Sequence, residues 1–199
     1  GSYQAALIHG LKNHTLSMLF LLSMINFAYV TIWNTYSALY MTHAQGLGLT
    51  PGLVAFWPTF SSIFIVLTLT LLVPRVQLEK LPHWLLLSSV LLCAGVLIFM
   101  LLPPGSYGLL AIPAILIAMG TALINPVRDT FIANIVDDRQ RAPFMAAINS
   151  VSMFVLVPLT PLAGRLFEVN AQAPLIVLLV FLVIGVLAAN SLRRAQLAS

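Results

Sequence analysis

Six apolar runs, each about as long as a bilayer is thick, constrain this chain more than any motif does. They cover residues 16–41, 52–73, 84–102, 108–135, 143–166 and 174–192. A helix needs roughly 20 apolar residues to cross about 30 Å of hydrocarbon, and every run comes close to that length or exceeds it. The runs are continuous rather than alternating in ten-residue segments, which excludes a membrane β-barrel. The breaks carry turn chemistry. His43 to Pro51 is rich in glycine and ends in proline, Pro103-Pro104-Gly105 is a second turn, and Asn170 to Pro174 closes on a proline suited to a helix start.

Charge removes the soluble alternative. A soluble domain carries about 25% charged residues, and this chain has 7%. Too few charges exist to cover a water-facing surface, so lipid must replace water over most of the outside. The fold class is therefore an all-α membrane protein with six transmembrane helices, sited in the cell membrane, and its first partner is the lipid bilayer. The net charge of +4 reports topology rather than nucleic-acid binding, because the basic residues are scattered between apolar runs. With the N-terminus in the cytoplasm, Lys12, Arg75, Lys80, Arg139, Arg141, Arg193 and Arg194 fall inside and only Arg165 falls outside. Both termini are then cytoplasmic. The single cysteine, Cys93, rules out an intrachain disulfide and reads as a small packing residue. The opening Gly1-Ser2 reads as a cloning scar or a cut end.

Two helices depart from uniform apolarity. In the first, Asn26, Tyr29, Trp33, Tyr36 or Ser37, and Tyr40 recur at steps of three or four and share one face. In the fourth, Thr121, Asn125, Arg128 and Asp129 do the same. Each pattern fits an ordinary packing face or the wall of a polar cavity. For Arg128 and Asp129 the alternatives are snorkelling near the surface and a gate or ion pair closing such a cavity. A charge at membrane depth costs at least about 2.5 kcal/mol, so it faces protein or water rather than lipid. The sequence DDRQR follows, putting Asp137, Asp138, Arg139 and Arg141 in a cytoplasmic loop with Arg75 and Lys80 in the loop before the third helix. Pro58, Pro113, Pro126, Pro158 and Pro161 interrupt backbone ladders, which is tolerable only where protein or cavity water satisfies the freed carbonyls.

Chemistry-bearing motifs are few. Asn125-Pro126-Val127-Arg128-Asp129 resembles the second asparagine-proline box of aquaporins, but no second Asn-Pro occurs and two spans follow where aquaporins have one. A rhomboid protease would need GxSG and a late-span histidine; a mitochondrial carrier would need its proline-acid-base repeats. Neither pattern is present. No P-loop, paired-histidine metal motif or catalytic carboxylate pair occurs, and His9, His14, His43 and His83 lie in loops or at span edges. The expectation is a protein that is not an enzyme, with no catalytic residue, no metal and no cofactor.

The whole chain from about residue 12 resembles the C-terminal half of a major facilitator superfamily transporter of the drug or small-molecule exporter kind. The resemblance rests on six spans with both ends inside and on the short basic loop PRVQLEK at 74–80. It also rests on NPVRDTFIANIVDDRQRAPFMAAINS at 125–150 and on PLTPLAGRLFE at 158–168, which are similar to the ends of family helices ten and eleven. The signature loop G-x-x-x-D-R-x-G-R-R is reduced here to Pro74-Arg75 and Glu79-Lys80, a loss usual in C-terminal halves. The resemblance implies an inverted 3+3 repeat: a cytoplasmic linker 1–14, a first three-helix repeat 15–102, a second 103–192, and a cytoplasmic tail 193–199. It implies that the first and fourth helices line a central cavity. Asn26, Tyr29, Trp33, Tyr36, Thr121 and Asn125 would meet a small organic substrate there, with Asn34 as a further hydrogen-bonding group. Arg128 would hold an anionic group or lock a gate with Asp129 or with a carboxylate of the other half. The implied activity is secondary, proton-coupled or uniport transport by alternating access, with an N-terminal half or a second copy as partner. The alternative is an isolated or split half that dimerises without transporting by itself.

Overall fold

The computed structural model describes residues 13–197, apart from the side chains of residues 139, 155 and 156. Gly1-Ser2, His9, Lys12 and the Arg139 side chain, all named above, lie outside the described residues, as do residues 198–199. Six helices are long and apolar enough to cross a membrane, and no strand occurs among the described residues. α1 spans His14–Thr42, α2 Phe56–Leu71, α3 Leu81–Leu101, α4 Ala111–Ile135, α5 Asp138–Val169 and α6 Ala173–Leu197. In hydrocarbon every backbone polar group must find an internal partner, and a helix achieves this within its own segment.

The ends follow local chemistry. The Asn13 side chain accepts a hydrogen bond from the Thr15 amide at 3.0 Å and opens α1. After Thr42 the chain turns through Gly48, whose φ of 61° suits glycine, and through Gly46, which has room for no Cβ against the Tyr40 carbonyl. A short helical turn, Pro51–Val54, precedes α2. Turns at Val73–Arg75 and Leu78–Lys80 lead into α3, and Gly105, with φ 78°, reverses the chain before α4.

Three sequence expectations change. DDRQR is not a loop: the link between α4 and α5 is only Val136 and Asp137, and Asp138 to Arg141 form the first turn of α5. An acidic residue there favours the positive end of the helix dipole, and Arg141 ties the turn down. Its Nη2 donates to the Ala133 carbonyl at 2.7 Å and pairs with Asp138 at 2.8 Å. It thereby supplies a donor to one of the carbonyls left over at the end of α4. Pro58 and Pro113 each stand third in their helices, where the missing amide would have had no partner in any case. The ladders are interrupted instead by Pro126 in α4 and by Pro143, Pro158 and Pro161 in α5.

α3 packs on α4 and α6, α1 on α6 and α5, and α2 on α4; a narrower contact joins α1 to α4. The tightest seam is α3 against α4. A Cβ on Gly120 would stand 2.7 Å from Leu92 Cγ and 3.0 Å from the Ser88 carbonyl oxygen, and one on Gly95 would stand 2.6 Å from Ile117 Cγ1. Close approach through small residues is how helices gain contact where lipid is as apolar as any side chain. Two apolar clusters fill the interior. One holds Trp33, Tyr36, Tyr40, Phe99 and Leu175. The other, towards the basic loops, holds Leu19, Leu22, Leu85, Val127, Phe144 and Leu192. α2 contributes almost nothing to either and is the least buried span.

Candidate functional site

Where α1 meets α4 the contact is polar. The Asn26 side-chain amide donates to Asn125 Oδ1 at 3.0 Å, and the Tyr29 hydroxyl lies 3.2 Å from Thr121 Oγ1. Steps of three and four along both helices bring these pairs to one line, as the sequence periodicity requires. The two faces read from the sequence are therefore facing each other, and the structure joins four of the named residues into two cross-helix bonds.

The aromatic part of the α1 face is largely interior. Tyr29 and Trp33 stack with ring centroids 6.1 Å apart, and Phe99 from α3 meets Trp33 edge-on at 5.0 Å. Trp57, from the first turn of α2, closes the group at 6.4 Å from Trp33 and 5.8 Å from Phe99. Such tilted and edge-on arrangements match the ring quadrupoles. Tyr36 turns towards α5: its hydroxyl donates to the Thr160 carbonyl at 3.3 Å and its ring lies 5.7 Å from Phe167. Tyr40 accepts from Gln172 Nε2 at 3.0 Å, linking α1 to the start of α6.

A cavity of about 460 Å³ opens between α1, α2 and α4. Tyr29, Trp33 and Thr121 line it; Asn26, Tyr36 and Asn125 do not. Asn34 and Ser37 of α1 and Ser61 and Ser62 of α2 add polar groups, and no lining residue is charged. Trp57, Ser61 and Ser62 were not among the sequence candidates. Their signal was present: a tryptophan and then two hydroxyls one turn later, inside a run read only for its apolarity.

One turn towards the basic end lies the ion pair. Arg128 Nε and Nη2 both donate to Asp129 Oδ1, at 3.0 and 2.8 Å. The partners are unequally placed, the Arg128 side chain being 10% exposed and that of Asp129 51%. Arg128 Nη1 is buried without a hydrogen-bond partner, and so is Asn26 Oδ1. The Arg128 guanidinium thus keeps a vacant buried donor, and Asn26, bonded to Asn125 one turn before Arg128 on α4, keeps a vacant acceptor, where most buried polar groups in folded proteins are paired. Asp137 stands at the N-cap of α5 with no side-chain cap bond, and Arg75 and Lys80 are exposed beside α3. Among the described residues no three His, Cys, Asp or Glu side chains converge to hold a metal.

Compared with the models of known protein families and with characterised proteins, this sequence matches none.

Proposed function

We propose that this chain is the C-terminal six-helix half of a major facilitator superfamily transporter, carrying a small organic molecule by alternating access as a secondary exporter. The observation that carries the reading is the pairing pattern of the helices. Exchanging α1, α2 and α3 for α4, α5 and α6 turns the α1–α5 contact into α4–α2 and the α1–α6 contact into α4–α3, while α3–α6 and α1–α4 map onto themselves. An inverted 3+3 repeat has this property, with the first helix of each repeat meeting at the centre. The two central helices are the two that carry polar faces, and they border the cavity.

The cavity suits an aromatic or amphipathic substrate. Tyr29, Trp33 and Trp57 offer ring faces, while Asn34, Ser37, Ser61 and Ser62 offer hydrogen bonds without charge. Arg128 and Asp129 form a latch on the basic side, taken as cytoplasmic by the distribution of Lys and Arg. The half-exposed carboxylate is the part that another group can reach. No enzymatic role enters this reading. The little-buried α2 and α5 supply faces for an N-terminal half or for a second copy.

The test is the mass of the detergent-solubilised particle, followed by uptake of an aromatic dye into liposomes. A particle at twice 21.6 kDa with dye uptake supports transport by paired halves. A particle at 21.6 kDa with no uptake leaves the chain as a half that does not transport alone. In a transporting particle, Arg128→Ala should cut uptake at least tenfold at normal membrane abundance. Unchanged uptake would reduce Arg128 to a snorkelling side chain.

A further inference from the structure

We propose that the corner formed by α1, α3 and α6 at the basic end seats one anionic phospholipid, its phosphate held by Lys80, Arg193 and Arg194 and an acyl chain lying along α6. Two contacts assemble the corner. Gln196 Nε2 donates to the Glu79 carbonyl at 2.7 Å, and Ser191 Oγ lies 3.3 Å from His14 Nε2. The last turns of α6, with both arginines, are thereby fixed between the first turn of α1 and the Leu78–Lys80 turn that opens α3. Leu19, Leu81, Leu85, Ala188 and Leu192 pack beneath it, so the corner is firm.

The charges of this corner are uncompensated. The ion pairs among the described residues are Arg128–Asp129 and Arg141–Asp138, so Lys80, Arg193 and Arg194 have no carboxylate partner among those residues. Arg193 Nε is moreover buried without any acceptor. A desolvated guanidinium donor next in sequence to an exposed arginine, on a helix end tied to the turn that carries exposed Lys80, is a demand for an anion with several oxygens. Glu79, beside Lys80, is exposed and makes no ion pair among the described residues.

The apolar surface selects a lipid over a free anion. Val180, Val183, Leu187, Asn190 and Arg194 recur along α6 at steps of three and four, a single stripe. Its middle faces outward, with Leu187 63% exposed. Arg194 therefore stands where an apolar track ends, and Trp84, of a residue type enriched at headgroup level, packs part-buried on the cluster towards the basic loops. Basic pockets between membrane helices take anionic headgroups by this combination of charge and adjoining acyl surface. The proposal needs only that the six helices cross a bilayer and does not depend on transport.

Native mass spectrometry of the full chain in detergent tests it, with phosphatidylglycerol, phosphatidylcholine or inorganic phosphate added in equal amounts. The expected result is one phosphatidylglycerol retained per chain, on the order of tenfold more tightly than phosphatidylcholine, with no competition from phosphate. The triple variant Lys80→Gln/Arg193→Gln/Arg194→Gln should lose that preference, while Arg165→Gln, at the opposite end, should keep it. Equal retention of the two lipids by the unaltered chain would overturn the proposal, and that comparison needs no variant to fold. Full preference in the triple variant, or displacement of the lipid by phosphate, would overturn it as well.

Discussion

α4 meets its neighbours in two opposite ways. Against α3 it presents Gly120, and the backbones approach until no Cβ fits. Against α1 it presents Thr121 and Asn125, and two side-chain hydrogen bonds bridge the helices beside a cavity. The first seam is held by dispersion over a close surface, which tolerates neither added volume nor sliding. The second is held by a few directional contacts, each worth on average about 0.6 kcal/mol in a membrane bundle, which can be broken and remade. One helix thus belongs to a rigid pair on one side and to an adjustable crossing on the other.

Gly120→Val should have the largest effect on this contrast. Its Cβ meets Leu92 and the Ser88 carbonyl within 3.0 Å, so backbone must move, at a cost of about 3 kcal/mol. Thermal unfolding in detergent should register a large drop or outright loss of the folded particle; an unchanged midpoint would mean that the seam is looser than described. Asn125→Val removes the acceptor for Asn26 and should cost about 1 kcal/mol by the same assay. A loss matching that of Gly120→Val would make the polar crossing the main clamp and reverse the comparison. Tyr29→Phe keeps the ring stacked on Trp33 and deletes only the contact with Thr121, so about 0.5 kcal/mol is expected. The two crossing variants made together show by their coupling whether the polar bonds act as one unit. Smallest of all is Gly164→Ala in α5. Its Cβ would lie 3.4 Å from the Tyr36 hydroxyl, an ordinary contact, and alanine gains up to about 1 kcal/mol of helix propensity. A neutral or slightly raised midpoint is expected, and a clear drop would show α5 to be packed as closely as α3.

The spans were legible because hydropathy over twenty residues leaves a helix in lipid few alternatives. Their ends were less so. DDRQR reads as a loop when polarity is the only signal, yet Asp138 and Arg141 serve the start of α5 through the dipole, a one-turn ion pair and a bond back to Ala133. The polar faces of α1 and α4 followed from periodicity; a shared cavity between them was implied by the resemblance alone, and the bonds that join them are seen only in the structure. What periodicity could not supply was depth. Tyr36 is filled in by Phe167 and the Thr160 carbonyl, from more than a hundred residues away. The cavity wall instead shifts towards Asn34, Ser37 and α2. Ser61 and Ser62 were hidden by the strength of the apolar signal around them, because in a membrane helix a serine satisfies itself on its own backbone, as Ser62 does on the Pro58 carbonyl at 2.8 Å.

The two-residue link between α4 and α5 has a mechanical meaning. Val136 and Asp137 span at most about 7 Å, and Arg141 holds the two helix ends together across them. α5 cannot move away from α4 at the basic end. Any tilt of α5 relative to α4 then turns about that end, as a lever does about its fulcrum. Its 32 residues make an arm of roughly 48 Å. A tilt of about 10° then carries the far tip roughly 8 Å while the root stays in place. Along that arm Tyr36 grips the carbonyl of Thr160 between Pro158 and Pro161, so the grip lies where the leverage is long and the rod is most easily bent.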